Sequence, residues 1–379
     1  MDKTLRIGLV VGEASGDTLA VGLMKEIKKR YPDAIFEGIG GPKMIAQGFN
    51  SFFDQERLAV MGLIEPLKRL PELLKIRREI IQYFSEHRPD VFVGVDSPDF
   101  NLTIEEKLRA QGIKTTHYVS PSVWAWRQGR VKKIARACDL MLTLLPFEAE
   151  FYKDHNVAVE FVGHPLANEF THLHSQTAAQ QQLHLKPTAK TIAIMPGSRE
   201  AEVRLIAPEF LQAAAIIHAV DSEFQFVIPA ANEKRFAQLQ ELLKQYDSLP
   251  VTLVLKQSKE AMMASNFVMI ASGTTTLEAM LLGKPMVIGY RMAWLSFQIM
   301  KALAKIKHVG LPNLLAGKTI VPELLQNDLS AQGVADVALE AFSNPNKTEL
   351  LTEEFHRLSQ QLRQNANLKA ADAILKLIS

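Results

Sequence analysis

Short apolar runs alternate with amphipathic stretches through most of the chain. Leu5–Val11 has the pattern of a buried strand, and Gly16–Arg30 behind it that of a helix. Ile35–Ile39, Val91–Val95, Thr115–Val119, Leu140–Leu145 and Val159–Val162 repeat the strand signal, with helical patterns between several of them. Continuous Val/Ile/Leu runs, rather than in-out alternation, indicate a parallel sheet covered on both faces. After Pro165 the pattern lapses: Ala167–Lys186 is polar, rich in Gln and His, and reads as an exposed helix or a domain connection. The alternation restarts at Thr191–Met195 and runs through Phe226–Pro229, Val251–Leu255, Phe267–Ala271 and Pro285–Gly289. The expectation is an α/β chain of two Rossmann-like domains, residues 1–170 and 188–345. A helical tail, 346–379, has no strand after it and is expected to pack back on the first domain or on a partner subunit.

Composition narrows the class. With 379 residues, 47% hydrophobic and 22% charged, the chain is neither disordered nor collagen-like. No uninterrupted apolar run reaches the ~18 residues of a membrane span. Met1–Arg6 lacks a signal-peptide layout, so a cytoplasmic protein is expected. The single cysteine, Cys138, excludes an internal disulfide and a Cys-based zinc site. A net charge of +2 argues against a dedicated nucleic-acid binder.

Candidate chemistry gathers where strand patterns end. The first strand runs into Gly12-Glu13-Ala14-Ser15-Gly16-Asp17, where two glycines let a ligand approach the backbone closely. This is not a dinucleotide fingerprint, which ranks an NAD-dependent dehydrogenase last among the readings. A tight strand-to-helix turn is the plain alternative, but Glu13 stands where α/β folds place ligands. Val91–Val95 leads into Asp96-Ser97-Pro98-Asp99-Phe100-Asn101. Asp96 can take a proton from a nucleophilic hydroxyl or cap the next helix; Asp99 reads as a cap, with Asn101 another. No His or Glu cluster supports a metal there. Ser120–Arg127 carries Trp124 and Trp126 beside Arg127 and Arg130, a combination that holds sugars or planar groups, although one Trp can equally be core.

In the second half, Pro196-Gly197-Ser198-Arg199-Glu200-Ala201-Glu202 forms a turn and an Arg before a helix, an anion pocket without the Walker pattern. Ala271-Ser272-Gly273-Thr274-Thr275-Thr276-Leu277-Glu278 offers hydroxyls and amides to a phosphate, and Glu278, a turn into the helix, can reach a ribose diol.

These segments, together with Val60-Met61-Gly62, Gly163-His164-Pro165 and Leu311–Gly317, resemble the lipid-A-disaccharide synthase family in order and over nearly the whole chain. Asn168, where many relatives carry an acid, and Pro66, where the family more often has an aliphatic residue, depart from it. The resemblance implies the GT-B glycosyltransferase fold, with a cleft between its two domains and a C-terminal helix. It implies an inverting transfer from UDP-2,3-diacylglucosamine to 2,3-diacylglucosamine 1-phosphate, giving a β-1,6-linked disaccharide 1-phosphate and UDP, with no cofactor and no metal. The first domain would then serve the acceptor and the membrane, and the second the donor. Asp96 or Glu13 would be the base, with Arg199 and the Ser272–Thr275 turn bearing the diphosphate charge. Ser198, Ser272, Gly273, Thr274 and Glu278 would line the donor site. Arg291 and Met292 would meet uracil mainly through backbone, and Asn313 would reach the diphosphate or donor sugar. Ser15, Trp124 and Arg127 fall to the acceptor.

Acylated substrates require an interfacial surface. Ile64, Leu67, Leu70 and Leu74 recur at helical steps among Lys68, Arg69, Lys75, Arg77 and Arg78, so this segment is expected at an anionic membrane, on the cytoplasmic face of the inner membrane. Pro66 and Pro71 favour a short or broken helix there. A homodimer stays open. The competing readings are a two-lobed binding protein without catalysis and a UDP-N-acetylglucosamine 2-epimerase.

Overall fold

The computed structural model describes residues 4–58, 65–126, 128–170, 175–294, 297–298 and 307–379, and for residues 65–68 the backbone only. Residues 61 and 62, Ile64 and Arg127, and the side chain of Leu67, lie outside what is described. The chain forms two compact units: unit 1 is Met1–Asn168 with Leu362–Ser379, and unit 2 is Glu169–Gln361.

Unit 1 holds a seven-stranded parallel sheet in the order β3-β2-β1-β4-β5-β6-β7. Its strands are β1 (Arg6–Val11), β2 (Ile35–Gly40), β3 (Asn50–Asp54), β4 (Val91–Val95), β5 (Lys114–Tyr118), β6 (Leu140–Thr143) and β7 (Val159–Phe161). Val91–Val95 is buried at every position, as expected of a central strand covered on both faces. The chain order reverses between β1 and β4, which pair with Val11 opposite Val95. That switch point is where open α/β sheets bind ligands, beyond the carboxyl ends of the strands.

Unit 2 repeats the design with six parallel strands ordered β10-β9-β8-β11-β12-β13. They are β8 (Lys190–Met195), β9 (Phe224–Ala230), β10 (Val251–Leu255), β11 (Phe267–Ala271), β12 (Met286–Tyr290) and β13 (Glu323–Leu325). Its switch point falls between β8 and β11. The helix Glu200–Val220 is long and apolar enough by composition to cross a membrane. It lies instead in the unit 2 core, where Ile206, Phe210 and Ile217 are fully buried.

The Gln-rich stretch after Pro165 holds the junction of the two units, between Asn168 and Glu169. It also holds a largely exposed helix, Gln176–Gln182, that belongs to unit 2, where the buried Gln180 amide donates to Ala264 O at 3.1 Å. One expectation needs correction: Glu65–Glu86 is one helix running through Pro71, not a short or broken one. Pro66 sits in the first turn, where no N–H is needed, and the cost at Pro71 is offset where Ile76, Ile80 and Phe84 enter the unit 1 core. The tail forms two helices, Pro345–Leu362 and Ala366–Ile378, separated at the left-handed Asn365. The second packs on the helix Ala14–Arg30 and against β5 and β6.

Candidate functional site

In unit 1, β1 and β4 release their chains side by side. A Cβ on Gly12 would lie 1.9 Å from Ser97 Oγ, so only glycine lets the two exits approach this closely. Asp96 and Ser97 both take left-handed backbone, φ +54° and +44°, and Val119 at the β5 exit has φ +81°. Non-glycine residues in this region are strained, and a β-branched one most of all. Asn101 holds the turn. Buried in the helix Pro98–Arg109, it donates through Nδ2 to Asp96 O at 2.8 Å and to Val10 O at 3.2 Å. Asp96 Oδ1 accepts the Ser97 amide at 2.8 Å. Asp96 lines a cavity of about 350 Å³ with Ser120, Ser122, Trp126 and Arg130.

Neither Asp99 nor Asn101 caps that helix, contrary to expectation. Asp99 is exposed and pairs with Arg130 at 2.5 Å, while the Asn101 amide is drawn inward by the strand-end carbonyls. Glu13 and Ser15 are exposed at the start of the helix Ala14–Arg30. Glu13 lines a separate, larger cavity at the ends of β1, β2 and β3. Trp124 is displaced from the acceptor role. Its indole N–H donates to Glu148 at 3.2 Å and its ring meets Phe147 edge-on at 4.7 Å. Trp126, 41% exposed, is the aromatic that faces the Asp96 cavity. His164 is pushed down to about 4 by burial, so it stays neutral and its Nδ1 accepts the Leu166 amide at 3.3 Å.

In unit 2, Ser198, Arg199, Ser272, Gly273 and Thr274 line one cavity of about 440 Å³ beyond the ends of β8, β9 and β11. Arg199 is 73% exposed and pairs with Glu202 at 3.1 Å. Glu202 also accepts the amides of Ser198 and Arg199, at 3.0 and 3.1 Å. The Gly-Ser turn therefore presents a guanidinium to the cavity, its own amides being taken by a carboxylate. Gly273, φ +154°, has nothing within 4 Å of where a Cβ would stand, so that wall is bare backbone. Glu278 follows in the helix Thr275–Leu281, and burial raises its carboxyl above the usual range, partly opposed by Lys259.

Lys256, a second cation on this cavity, had no motif to mark it in the sequence. Its φ of +57° ends β10, and the only signal was its place after an apolar run.

One donor-side expectation is overturned. Asn313 is buried with every hydrogen-bonding position filled: Nδ2 donates to Val321 O and Glu323, and Oδ1 accepts from Ile320 and Val321 amides, all within 2.7–2.9 Å. It fastens the loop to β13 and has nothing left for a diphosphate. The Arg291 side chain bonds Glu209 at 2.8 Å, Gln326 O and Leu329 O, which clamps the chain after β13. The expected contact with uracil runs through the backbone of Arg291 and Met292, which these side-chain bonds do not occupy.

The family model described as lipid-A-disaccharide synthetase matches residues 7–377. The lipid-A-disaccharide synthase of Hahella chejuensis is 52% identical over 100% of this chain and 95% of its own. That of Pseudomonas aeruginosa is 48% identical over 100% and 99%. Among solved structures, a UDP-GlcNAc 2-epimerase from Neisseria meningitidis bound to UDP-GlcNAc aligns with TM-score 0.64 at 13% identity, over 98% of this chain and 99% of that one. A glycosyltransferase from Rickettsia africae aligns with TM-score 0.63 at 12% identity, over 100% and 99%. At such identities the structural likeness establishes the two-domain fold alone.

Proposed function

The chain belongs to the lipid-A-disaccharide synthetase family, and from that membership we propose how its two units divide the reaction. The protein is a UDP-sugar glycosyltransferase that forms the lipid A disaccharide. We assign UDP-2,3-diacylglucosamine as donor to unit 2 and 2,3-diacylglucosamine 1-phosphate as acceptor to unit 1. The observation that carries the assignment is the unit 2 cavity, where Arg199 and Lys256 stand with the Ser272–Thr275 turn at the switch point.

A donor α-linked to UDP and a β-linked product require one in-line displacement with inversion. The acceptor 6-hydroxyl loses its proton as its oxygen attacks C1. The C1–O bond breaks, and its electron pair leaves with UDP. Asp96 takes the proton, a contribution of about 10²–10⁴-fold. It is preferred to Glu13 because Asn101 and the Ser97 amide fix it in place, whereas Glu13 is exposed and suits an acceptor hydroxyl. The growing charge on the diphosphate meets Arg199, Lys256 and the hydroxyls and amides of Ser272–Thr275, so this reaction needs no metal. Glu278 bonds the ribose, and Trp126 replaces Trp124 as the platform for a sugar.

The same reading places the helix Glu65–Glu86 in the interface of an anionic membrane, on its cytoplasmic face. Its exposed Leu70 and Leu74 support that placement.

Incubation with both acylated sugars in EDTA, following UDP by coupled assay and the product linkage by proton NMR, tests this function. UDP and a β-linked disaccharide are expected in equal amounts. An α linkage, or turnover that depends on added magnesium, would overturn the mechanism. The epimerase alternative would give UDP-N-acetylmannosamine from UDP-N-acetylglucosamine with no acceptor present.

A further inference from the structure

A cavity of unit 1, about 710 Å³, meets the chemistry above only through Glu13. It opens at the ends of β1, β2 and β3, and its walls include Ala14, Pro42, Ile45, Phe52 and Phe53. Its volume falls in the roughly 300–1,000 Å³ range of ligand pockets.

The walls are held in place by bonds that no catalytic step uses. Asp17, 2% exposed, accepts the amides of Gly41, Lys43 and Met44 at 3.0–3.2 Å, which fixes the turn carrying Pro42 and Ile45. The Gln55 side chain donates to Glu13 O at 2.9 Å and to Val11 O at 3.3 Å, joining the β1 exit to the segment after β3. Ser51 Oγ accepts the Gly40 amide at 3.1 Å and has Phe53 O at 2.8 Å and Gly40 O at 3.2 Å as alternative acceptors for its one proton, pinning the β2–β3 pair where its register shifts. A Cβ on Gly41 would stand 2.3 Å from Gln55 Oε1 and 2.5 Å from the Asp17 carboxyl, so backbone alone forms that part of the wall.

Charge narrows the occupant. The ionisable residues among the described lining are Glu13, Asp54 and Glu56, with no Lys or Arg. Phosphate and nucleotide are repelled by such a mouth, which keeps the 1-phosphate of the acceptor outside it, and an uncharged apolar chain is not repelled. Glu13 is exposed and lines this cavity, so a sugar hydroxyl at its carboxylate stands beside the apolar walls.

We propose that this cavity receives one acyl chain of the acceptor sugar, a proposal that rests on the transferase reading given above. Glu13 then serves as the polar marker at the chamber mouth, and the chain selects which acceptors are well placed for Asp96.

The probe is a series of N-acylglucosamines of four to twelve carbons, which carry neither phosphate nor nucleotide, titrated calorimetrically into the full chain. Each added methylene should tighten binding about fourfold until the chamber is filled. Ile45 is 52% exposed, so Ile45→Glu should keep the wild-type melt while flattening that slope. Ala14→Phe, which narrows the entrance, should end the gain at a shorter chain. A slope equal in wild type and both variants, or no chain-length dependence in the wild type, would overturn the assignment. The titration involves no turnover. A slope lost in Ile45→Glu supports the chamber even where UDP release fails, and an unchanged slope refutes it even where UDP release succeeds.

Discussion

At Glu148 the carboxyl accepts the Leu145 amide at 3.1 Å and the Trp124 indole N–H at 3.2 Å, and burial pushes it up to about 7. Between the ordinary value of 4.5 and about 7, the folded protein keeps a proton that the unfolded chain has lost. Stability from this group is complete below 4.5 and is lost as pH rises through 7. His164 acts with the opposite sign, since burial lowers it to about 4 and the folded state resists the proton that the unfolded chain takes up. The Glu148 effect must therefore be read as a difference. Urea melts of wild type and Glu148→Gln between pH 4 and 8 should diverge by on the order of 3 kcal/mol, the wild type losing ground as pH rises. Parallel profiles would place the Glu148 titration outside this range. Residue type and spacing brought Glu13, Asp96, Arg199 and Ser272 to strand ends, because those positions follow directly from where apolar runs stop. They did not show partners. Trp124 read as a ligand, and the resemblance made Asn313 one, because an indole and an amide look alike in sequence whether they face a substrate or a carboxylate of the protein itself.

The helix Glu65–Glu86 carries two apolar sides. Ile76, Ile80 and Phe84 are buried, with Leu73 packed against them. Leu70 and Leu74 are 46% and 40% exposed on the neighbouring side. A purely core-facing helix would have hidden both. Replacing Leu70 and Leu74 with Ser should leave the cooperative melt in place, and should weaken binding to phosphatidylglycerol vesicles at least tenfold in a flotation assay. Unchanged vesicle binding would move the membrane contact elsewhere. Other elements escaped the hydrophobic pattern for physical reasons. Asn50–Asp54 is a half-exposed edge strand, so no continuous apolar run announces β3. Gln180 lies in the stretch read as polar and exposed, but it and the buried Gln225 both donate to Thr191 Oγ1, at 3.4 and 2.9 Å, and the shared hydroxyl allows their burial. Gly22, inside a helix, is explained by the tail. A Cβ there would stand 2.4 Å from the Asn367 side chain, where the helix Ala366–Ile378 packs against Ala14–Arg30.

On the scale of the whole chain, two parallel sheets were legible because buried strands leave uninterrupted Val/Ile/Leu runs, and each sheet's reversal of strand order carries a candidate site. The limit between the units was less so, since the helix Gln176–Gln182 joins unit 2 partly through the Gln176 and Gln180 side-chain amides, which no apolar pattern records. If unit 2 binds the nucleotide and unit 1 supplies the base, single substitutions should separate the two tasks. Calorimetric titration of UDP into wild type, Asp96→Asn and Arg199→Ala, with turnover recorded on the same preparations, tests that division directly. Asp96→Asn should bind UDP as wild type does while kcat falls about 10²–10⁴-fold, and Arg199→Ala should bind UDP more weakly. An Asp96→Asn protein with undiminished kcat, or one that loses UDP affinity as Arg199→Ala does, would contradict it.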